Sequence, residues 1–532
     1  MMRCSPLVVF VLLLSANWVF SDLIQEMFVP CMSTYFGAYT KNMEIMHTPN
    51  SSLYSYILQS SMQNPRWVNS TASKPLLVMT PFHESEIQAA IICSRRYDLQ
   101  IRIRSGGHDY EGLSYLCATP FILIDLVNLR SITVNIEDET AWVQSGATLG
   151  ELYYAIAKRS GIHGFPAGLC STVGIGGHLT GGGFGTMVRK YGLAADNILD
   201  AYLIDVNGRV MNRETMGEEL FWAIRGGGGA SFGIILSWKI KLVPVPKTVT
   251  AFTVSRTLEE GATKLVHRWQ YIAHKMHEDL FIRIIIQNVC TSNKRTVQAS
   301  FDSLFLGGID RLIPLMSAIF PELGLKPKDC NEMSWVESAL YFAEFKKGQP
   351  LEVLLGRTLL SKSNFKAKSD FVQEPIPEYG LEGIWERFLE EDLPMMIMDP
   401  FGGRMDQISE SDVPFPHREG NLYNIQYLVR WEDNRIEESN RHKNWIRMLY
   451  RYMKPFVSKS PRAAYFNFRD LDLGINNHTK TSYSEGRVWG LKYFKGNFRR
   501  LAQVKSNVDP DNFFRSAQSI PPLPAPRKLQ NQ

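Results

Sequence analysis

Two residues able to do chemistry stand singly on glycine-rich loops. His108 lies in RIRSGGHDY at 102–110, and Cys170 lies in FPAGLCSTVGIGGHLTGGGFG at 165–185. An imidazole and a thiol suit a metal site or a Cys–His hydrolase. No CxxC or HxxxH cluster accompanies them, so no metal is expected. No orienting third group stands at a readable spacing for a hydrolase. The second loop carries Gly174, Gly176, Gly177, Gly181, Gly182, Gly183 and Gly185. Such density costs conformational entropy and marks backbone that approaches a ligand closely or takes positive φ. No G-x-G-x-x-G follows a strand and opens a helix, and no GK[ST] occurs, so neither nucleotide fingerprint fits. A nest of backbone N–H groups around a phosphate stays open.

These loops need elements to hold them. PLLVMTP, HESEIQAAIICSRRYD and LQIRIRSGG read as strand, helix and strand from 75 onward. The helix has Glu84 and Glu86 at its start and Arg95 and Arg96 near its end, which suits the helix dipole. FILIDL and AWVQSG read as strands, and ATLGELYYAIAKRSG as a helix with a glycine stop. AYLIDVNGRVMN places Asn-Gly between apolar runs, a hairpin signal. These alternations over 71–245 indicate an α+β or α/β domain. From 246 to 455, long alternating strands such as LFIRIIIQNV and NLYNIQYLVRW, with helices between them, indicate an antiparallel sheet with helices on one face. The segment 456–532 returns to mixed signals.

A chain of 532 residues implies two domains or more. With 58 Lys+Arg against 53 Asp+Glu, the excess of +5 is small and spread, which argues against nucleic acid as a partner. Residues 1–21 read as a secretory signal: Arg3, an apolar run from Leu7 to Leu14, and short residues near Ser21. No later stretch is apolar for long enough to span a membrane. In a secretory setting Asn50, Asn69 and Asn477 are glycosylation acceptors, and a disulfide is allowed. Cys31 and Cys93 are the favoured pair, although spacing leaves the connectivity open.

RIRSGGHDYEGLSY and FPAGLCSTVGIGGHLTGGGFG together resemble the plant berberine bridge enzyme-like family. LAADNILDAYLIDVNGRV, GEELFWAIRGGGGASFGIILSWKIKLVPVP, ISESDVPFPHREGNLYNIQYLVRW, FRDLDLG and QSIPPL agree with it, in family order, across nearly the whole chain. The resemblance implies a secreted FAD-linked oxidoreductase of the vanillyl-alcohol oxidase, or PCMH, fold. The implied fold class is α+β. Residues 22–70 begin the FAD domain, 71–245 form its PCMH-type body, 246–455 form an antiparallel-sheet substrate domain covered by helices, and 456–532 return to the FAD domain. It further implies FAD attached twice, through His108 at the 8α-methyl and through Cys170 at C6. Arg104, Ser105, Gly106, Gly107, Gly174, Gly176, Gly177 and His178 would complete the cofactor site. The family also carries a disulfide at positions matching Cys31 and Cys93.

The chain departs from the family near the flavin. Gln426, in NIQY, stands where berberine-forming members have a general-base Glu, and an amide cannot take that role. Phe184 and Phe468 stand where alcohol- and sugar-oxidising members have tyrosines, while Tyr110 is kept. A base-poor aromatic pocket favours an amine, whose lone pair drives hydride loss and leaves an iminium. The expected substrate is therefore an alkaloid amine, with wording nearest to members acting on monoterpenoid indole alkaloids. Val173, three residues after the Cys, is the residue that the resemblance links to oxygen access. Its size points to O2 as acceptor and H2O2 as product. The rival readings are a carbohydrate or monolignol oxidase, with Tyr110 or His417 as base, and a non-redox protein keeping flavin as a relic. A monomer in the vacuole, an endoplasmic reticulum-derived vesicle or the apoplast completes the expectation.

Overall fold

FILID is apolar along its whole length, as a strand covered on both faces must be. In the computed structural model, which describes residues 23–36, 44–68, 74–291, 294–359, 361–477 and 481–524, that stretch is a central strand. The signal-peptide reading and Asn69 lie outside the described residues. Strands β1 (Met46–His47), β2 (Leu77–Met79), β3 (Gln100–Arg104) and β4 (Phe121–Asp125) form a sheet of order β1-β2-β4-β3. Both β2 and β3 run parallel to β4, and β1 is antiparallel to β2. Every residue of β4 is buried.

Helices α1 (Val29–Phe36), α2 (Tyr54–Ser60) and α3 (Glu84–Arg96) pack around this sheet. The start of α3 is capped by Glu86, whose carboxylate accepts from the N–H groups of Phe82 and His83 at 2.7 and 3.0 Å. Its acidic first turn and basic last turn oppose the helix dipole. Cys93 on α3 is joined to Cys31 on α1 by a disulfide.

Next come β5 (Ile132–Asn135), β6 (Thr140–Gln144), α4 (Leu149–Arg159), β7 (His163–Gly164), α5 (Ile175–Thr180), β8 (Ile198–Ile204), β9 (Val210–Met211), β10 (Ile234–Lys241) and β11 (Val243–Pro244). Five of these strands make an antiparallel sheet, β5-β6-β10-β8-β9. The Asn207-Gly208 turn joins β8 to β9, with Gly208 at φ 77°. One expectation changes here: α4 ends without a glycine stop. Ser160 leaves the helix in extended backbone, φ −155° and ψ 136°.

The third sheet comprises β12 (Val249–Thr257), β13 (Leu280–Thr291), β14 (Lys294–Phe305), β15 (Cys330–Met333), β16 (Asn364–Val372), β17 (Pro394–Pro400) and β18 (Tyr423–Trp431). It is antiparallel throughout, in the order β15-β12-β14-β13-β17-β18-β16. Helices α6 (Ala262–Ile272), α7 (Glu378–Leu389) and α8 (Ile436–Tyr452) cover one face, burying Trp269, Trp385 and Trp445. Ile425 and Tyr427 of β18 belong to that core. Side chains alternate along a strand, so Gln426 between them points to the opposite face. The last helices, α9 (Tyr483–Phe494) and α10 (Asn497–Val508), return to pack with the 134–243 region, where Trp489, Phe498 and Leu501 join Phe221 and Trp222 in one core.

Candidate active site

The two glycine loops meet back to back. A Cβ on Gly106 would lie 2.4 Å from the amide nitrogen of Gly174, and one on Gly174 would lie 2.1 Å from Ser105 Oγ. Gly107 sits at φ +69°, with the Ser61 carbonyl oxygen 1.7 Å from where its Cβ would stand. Only glycine fits at these three positions. Gly177 is different: it is exposed, and a Cβ there would meet nothing within 4 Å. The second loop is held by Gly176 N–H donating to the Ser145 carbonyl at 3.1 Å and Ile175 N–H donating to Ala147 at 2.8 Å. Beneath it Ser145 Oγ is buried without a hydrogen-bond partner. An open glycine rim over an orphaned buried hydroxyl fits the FAD that the resemblance implies.

His108 and Cys170 converge on one hydroxyl. Thr172 Oγ1 lies 2.9 Å from His108 Nε2 and 3.4 Å from Cys170 Sγ. Burial pulls the His108 pKa down to about 4, against a partial rise from the Thr172 backbone. His178, on α5, accepts from Gly168 N–H at 3.0 Å through Nε2, and burial pulls it down to about 4 as well. Both rings are neutral at pH 7.

The side chains of Arg104 and Ser105, two residues of the expected cofactor site, turn inward. Arg104 is fully buried in an ion pair with Asp125 at 2.5 Å. It also donates to the Leu58 and Ile57 carbonyls of α2 at 2.7 and 2.6 Å. Its guanidinium anchors α2 beneath the loop. Ser105 Oγ donates to the Ser145 carbonyl at 2.5 Å, so its hydroxyl joins the two loops.

Opposite lies an aromatic wall. Tyr110 stacks on Phe468 at 5.9 Å and meets Phe365 of β16 edge-on at 5.1 Å. Phe184 packs against Phe468 at 6.2 Å and Tyr465 at 5.0 Å. Gln426 reaches across from β18, its amide N–H donating to the Tyr110 hydroxyl at 2.7 Å. Burial drives the Tyr110 phenol well above its ordinary pKa, only partly offset by Gln426. The Tyr465 hydroxyl accepts from Gly183 N–H at 2.9 Å and Asn467 at 2.8 Å. Val173 is partly buried beside the second loop, its N–H donating to the Cys170 carbonyl at 3.2 Å.

His417 does not serve as the base considered above. It is fully buried, stacked 4.0 Å from Phe371, with Nε2 bonded to the Tyr493 carbonyl at 3.0 Å. Desolvation holds it well below its ordinary pKa.

Sequence reading missed the residues that fix Tyr110. Its carbonyl accepts from Asn64 Nδ2 at 3.3 Å and Trp67 Nε1 at 3.2 Å. Asn64 also brackets Phe365, donating to its carbonyl at 3.0 Å and accepting from its N–H at 3.3 Å. The next residue, Glu111, is paired with Arg66 at 2.6 Å and with the buried Lys366, which in turn holds Asp470 at 2.6 Å. Asp470 lies two residues beyond Phe468, so both aromatic faces are tied to β16. The alternation of Phe365, Lys366, Ala367 and Lys368 was the available signal, because it puts two lysines on one face of a buried strand.

Among the described residues no group of three or more His, Cys, Asp or Glu is gathered to hold a metal ion, and no helix is long and apolar enough to cross a membrane. Residues 75–213 match the family model described as FAD binding domain, and residues 464–521 match the one described as berberine and berberine like. The chain is 56% identical to Berberine bridge enzyme-like 22 of Arabidopsis thaliana over 96% of this chain and 98% of that one. It is 52% identical to the tetrahydroberberine oxidase of Berberis wilsoniae, over 96% of each. It is 50% identical to the Arabidopsis thaliana monolignol oxidoreductase AtBBE-like 13, over 98% of each. Among solved structures, wild-type Phl p 4.0202, a glucose dehydrogenase, superposes with a TM-score of 0.87 at 45% identity, covering 92% of this chain and 100% of that one. An isoleucine-to-valine variant of Phl p 4, a glucose oxidase, gives the same values. With these matches spanning the FAD loops, the wall and the C-terminal return, the chain belongs to the berberine bridge enzyme-like family of FAD-linked oxidoreductases.

Proposed function

We propose that the protein oxidises an alkaloid amine to its iminium, with O2 as electron acceptor. The C–H bond beside the neutral nitrogen breaks with both its electrons, and the nitrogen lone pair forms the C=N bond. That hydride, one proton and O2 make one H2O2. Bound FAD supplies the two-electron acceptor between them. His108 and Cys170 are the residues that would bond to it, and the Gly106–Gly107 and Gly174–Gly177 backbone would hold its pyrophosphate.

The observation that carries the reading is the make-up of the wall, which holds no carboxylate and no exposed base. Tyr110 is a buried phenol held neutral, Gln426 is an amide, and Phe184 and Phe468 carry no polar group. His178 is a base too weak to take a proton usefully at pH 7, and His108 is the residue that would bond to the flavin. An alcohol must lose its O–H proton as hydride leaves, whereas a neutral amine needs no such help. The faces of Tyr110, Phe468 and Phe184 suit a flat guest that becomes cationic. The relative named tetrahydroberberine oxidase agrees with an amine. The small side chain of Val173 agrees with O2, and a similar solved structure, an isoleucine-to-valine variant of Phl p 4, is a glucose oxidase. The same reading places the protein in the secretory path, with the exposed Asn50 and Asn477 as glycan acceptors.

A second reading, oxidation of a monolignol or sugar hydroxyl, draws on AtBBE-like 13 and Phl p 4. It requires Tyr110 to act as base against its burial. Incubation under air with tetrahydroberberine, coniferyl alcohol and glucose in parallel separates the two. The amine should be consumed with one H2O2 per turnover. Turnover of an alcohol with the amine untouched would reverse the assignment.

A further inference from the structure

Thr172 lies between the two attachment residues. Its side chain is buried at 4% exposure. Its Oγ1 is 2.9 Å from His108 Nε2 and 3.4 Å from Cys170 Sγ. Resting on the double attachment proposed above, we propose that Thr172 is the positioning residue for both bonds: its hydroxyl accepts from His108 Nε2–H and donates to Cys170 Sγ.

A hydroxyl has one proton and two lone pairs, so it can do both at once. Accepting from Nε2–H fixes the His108 tautomer and leaves the Nδ1 lone pair as the nucleophile. Desolvation supports this by keeping the ring neutral. Donating to Cys170 Sγ fixes the orientation of the sulfur that must bond. The two loops cannot drift apart and break the bridge, because Gly106 and Gly174 are in backbone contact beside it. Chemically, each attachment replaces one C–H of the flavin by a bond to protein. One hydrogen leaves from that carbon and one from the imidazole or thiol. With the two electrons released they reduce one O2 to one H2O2. After the His108 bond forms, Nε2–H is the proton that must leave, and Thr172 is the group that already accepts from it.

The test compares wild type with Thr172→Val and Thr172→Ser, each purified as holoenzyme. The readouts are peptide mass mapping of flavin on the His108 and Cys170 peptides, the time course of linkage, and the thermal midpoint. Loss of one hydrogen-bonding hydroxyl should slow linkage about tenfold in Thr172→Val, leaving acid-extractable or singly linked FAD. Thr172→Ser should restore both bonds, with a thermal midpoint close to wild type. Equal linkage, in rate and extent, in wild type and Thr172→Val would overturn the role of Thr172 alone. So would a Thr172→Val protein that holds no FAD in any form, since that makes the residue part of binding and not of attachment. Unlinked FAD in wild type would sink the double-attachment reading itself, and this role with it.

Discussion

On one side of the site the backbone is the contact surface, and on the other side the side chains are. The Gly106–Gly107 and Gly174–Gly177 loops leave no room for a Cβ at their junction, with clearances of 2.4 Å at Gly106 and 2.1 Å at Gly174, and Gly107 is as tightly held against Ser61 at 1.7 Å. The wall of Tyr110, Phe184, Phe365 and Phe468 packs at 5 to 6 Å between ring centres, a spacing that tolerates exchange of one ring for another. A backbone-built surface fixes which cofactor is held. A side-chain wall can be rewritten one residue at a time without disturbing it, so on the proposed function the wall is where the substrate would be chosen.

The largest effect should come from attacking the junction. Gly174→Ala places a Cβ against the Gly106 amide as well as Ser105, and should cost at least about 3 kcal/mol, seen as a collapse of soluble, FAD-loaded protein. Gly177→Ala is the contrast. With open space at that Cβ, the thermal midpoint should stay near wild type, while FAD occupancy during expression falls. Equal tolerance at both positions would erase the distinction drawn here.

On the wall, Phe468→Tyr should leave the fold intact and introduce a phenol beside Tyr110. Turnover of coniferyl alcohol should rise by about a hundredfold, the usual contribution of a positioned acid–base group. Oxidation of the amine should change by less than about threefold. Steady-state peroxide assays with both substrates read this directly. Gln426→Leu removes the bond to the Tyr110 hydroxyl and should lower kcat/KM for the amine by about tenfold through misplacement of that ring.

The smallest effect is one of pH. The folded-state pKa of His178 is about 4, below its ordinary 6.5. The unfolded chain therefore takes the proton first as pH falls. The stability contributed by the neutral ring is complete above pH 6.5 and is lost between 6.5 and 4, by up to about 1 kcal/mol per pH unit. Thermal midpoints of wild type should fall over that window, and those of His178→Gln should fall less steeply.

The same contrast explains what the sequence revealed. Gly174 and Gly106 were legible because a requirement for glycine is local: it is visible as a run in one loop. The 83–98 helix and the 201–212 hairpin were legible for the same reason, since cap, dipole and turn residues act on their near neighbours. Asn64, Arg66 and Trp67 were not, because they reach Tyr110 from more than forty positions away. Lys366 is 255 positions from Glu111, and a lysine on a strand carries no sign of its partner. Arg104 was expected at the cofactor, but its guanidinium is taken by Asp125 on the neighbouring parallel strand. Thr172 was quoted within its motif and passed over, since its meaning depends on the first loop folding against the second.

The most direct measurement is anaerobic mixing of the holoenzyme with tetrahydroberberine while the flavin absorbance is followed across pH. The account predicts bleaching whose rate climbs with the neutral fraction of the amine, and no bleaching by glucose or coniferyl alcohol. An absorbance bleached by either alcohol and indifferent to the amine would contradict it.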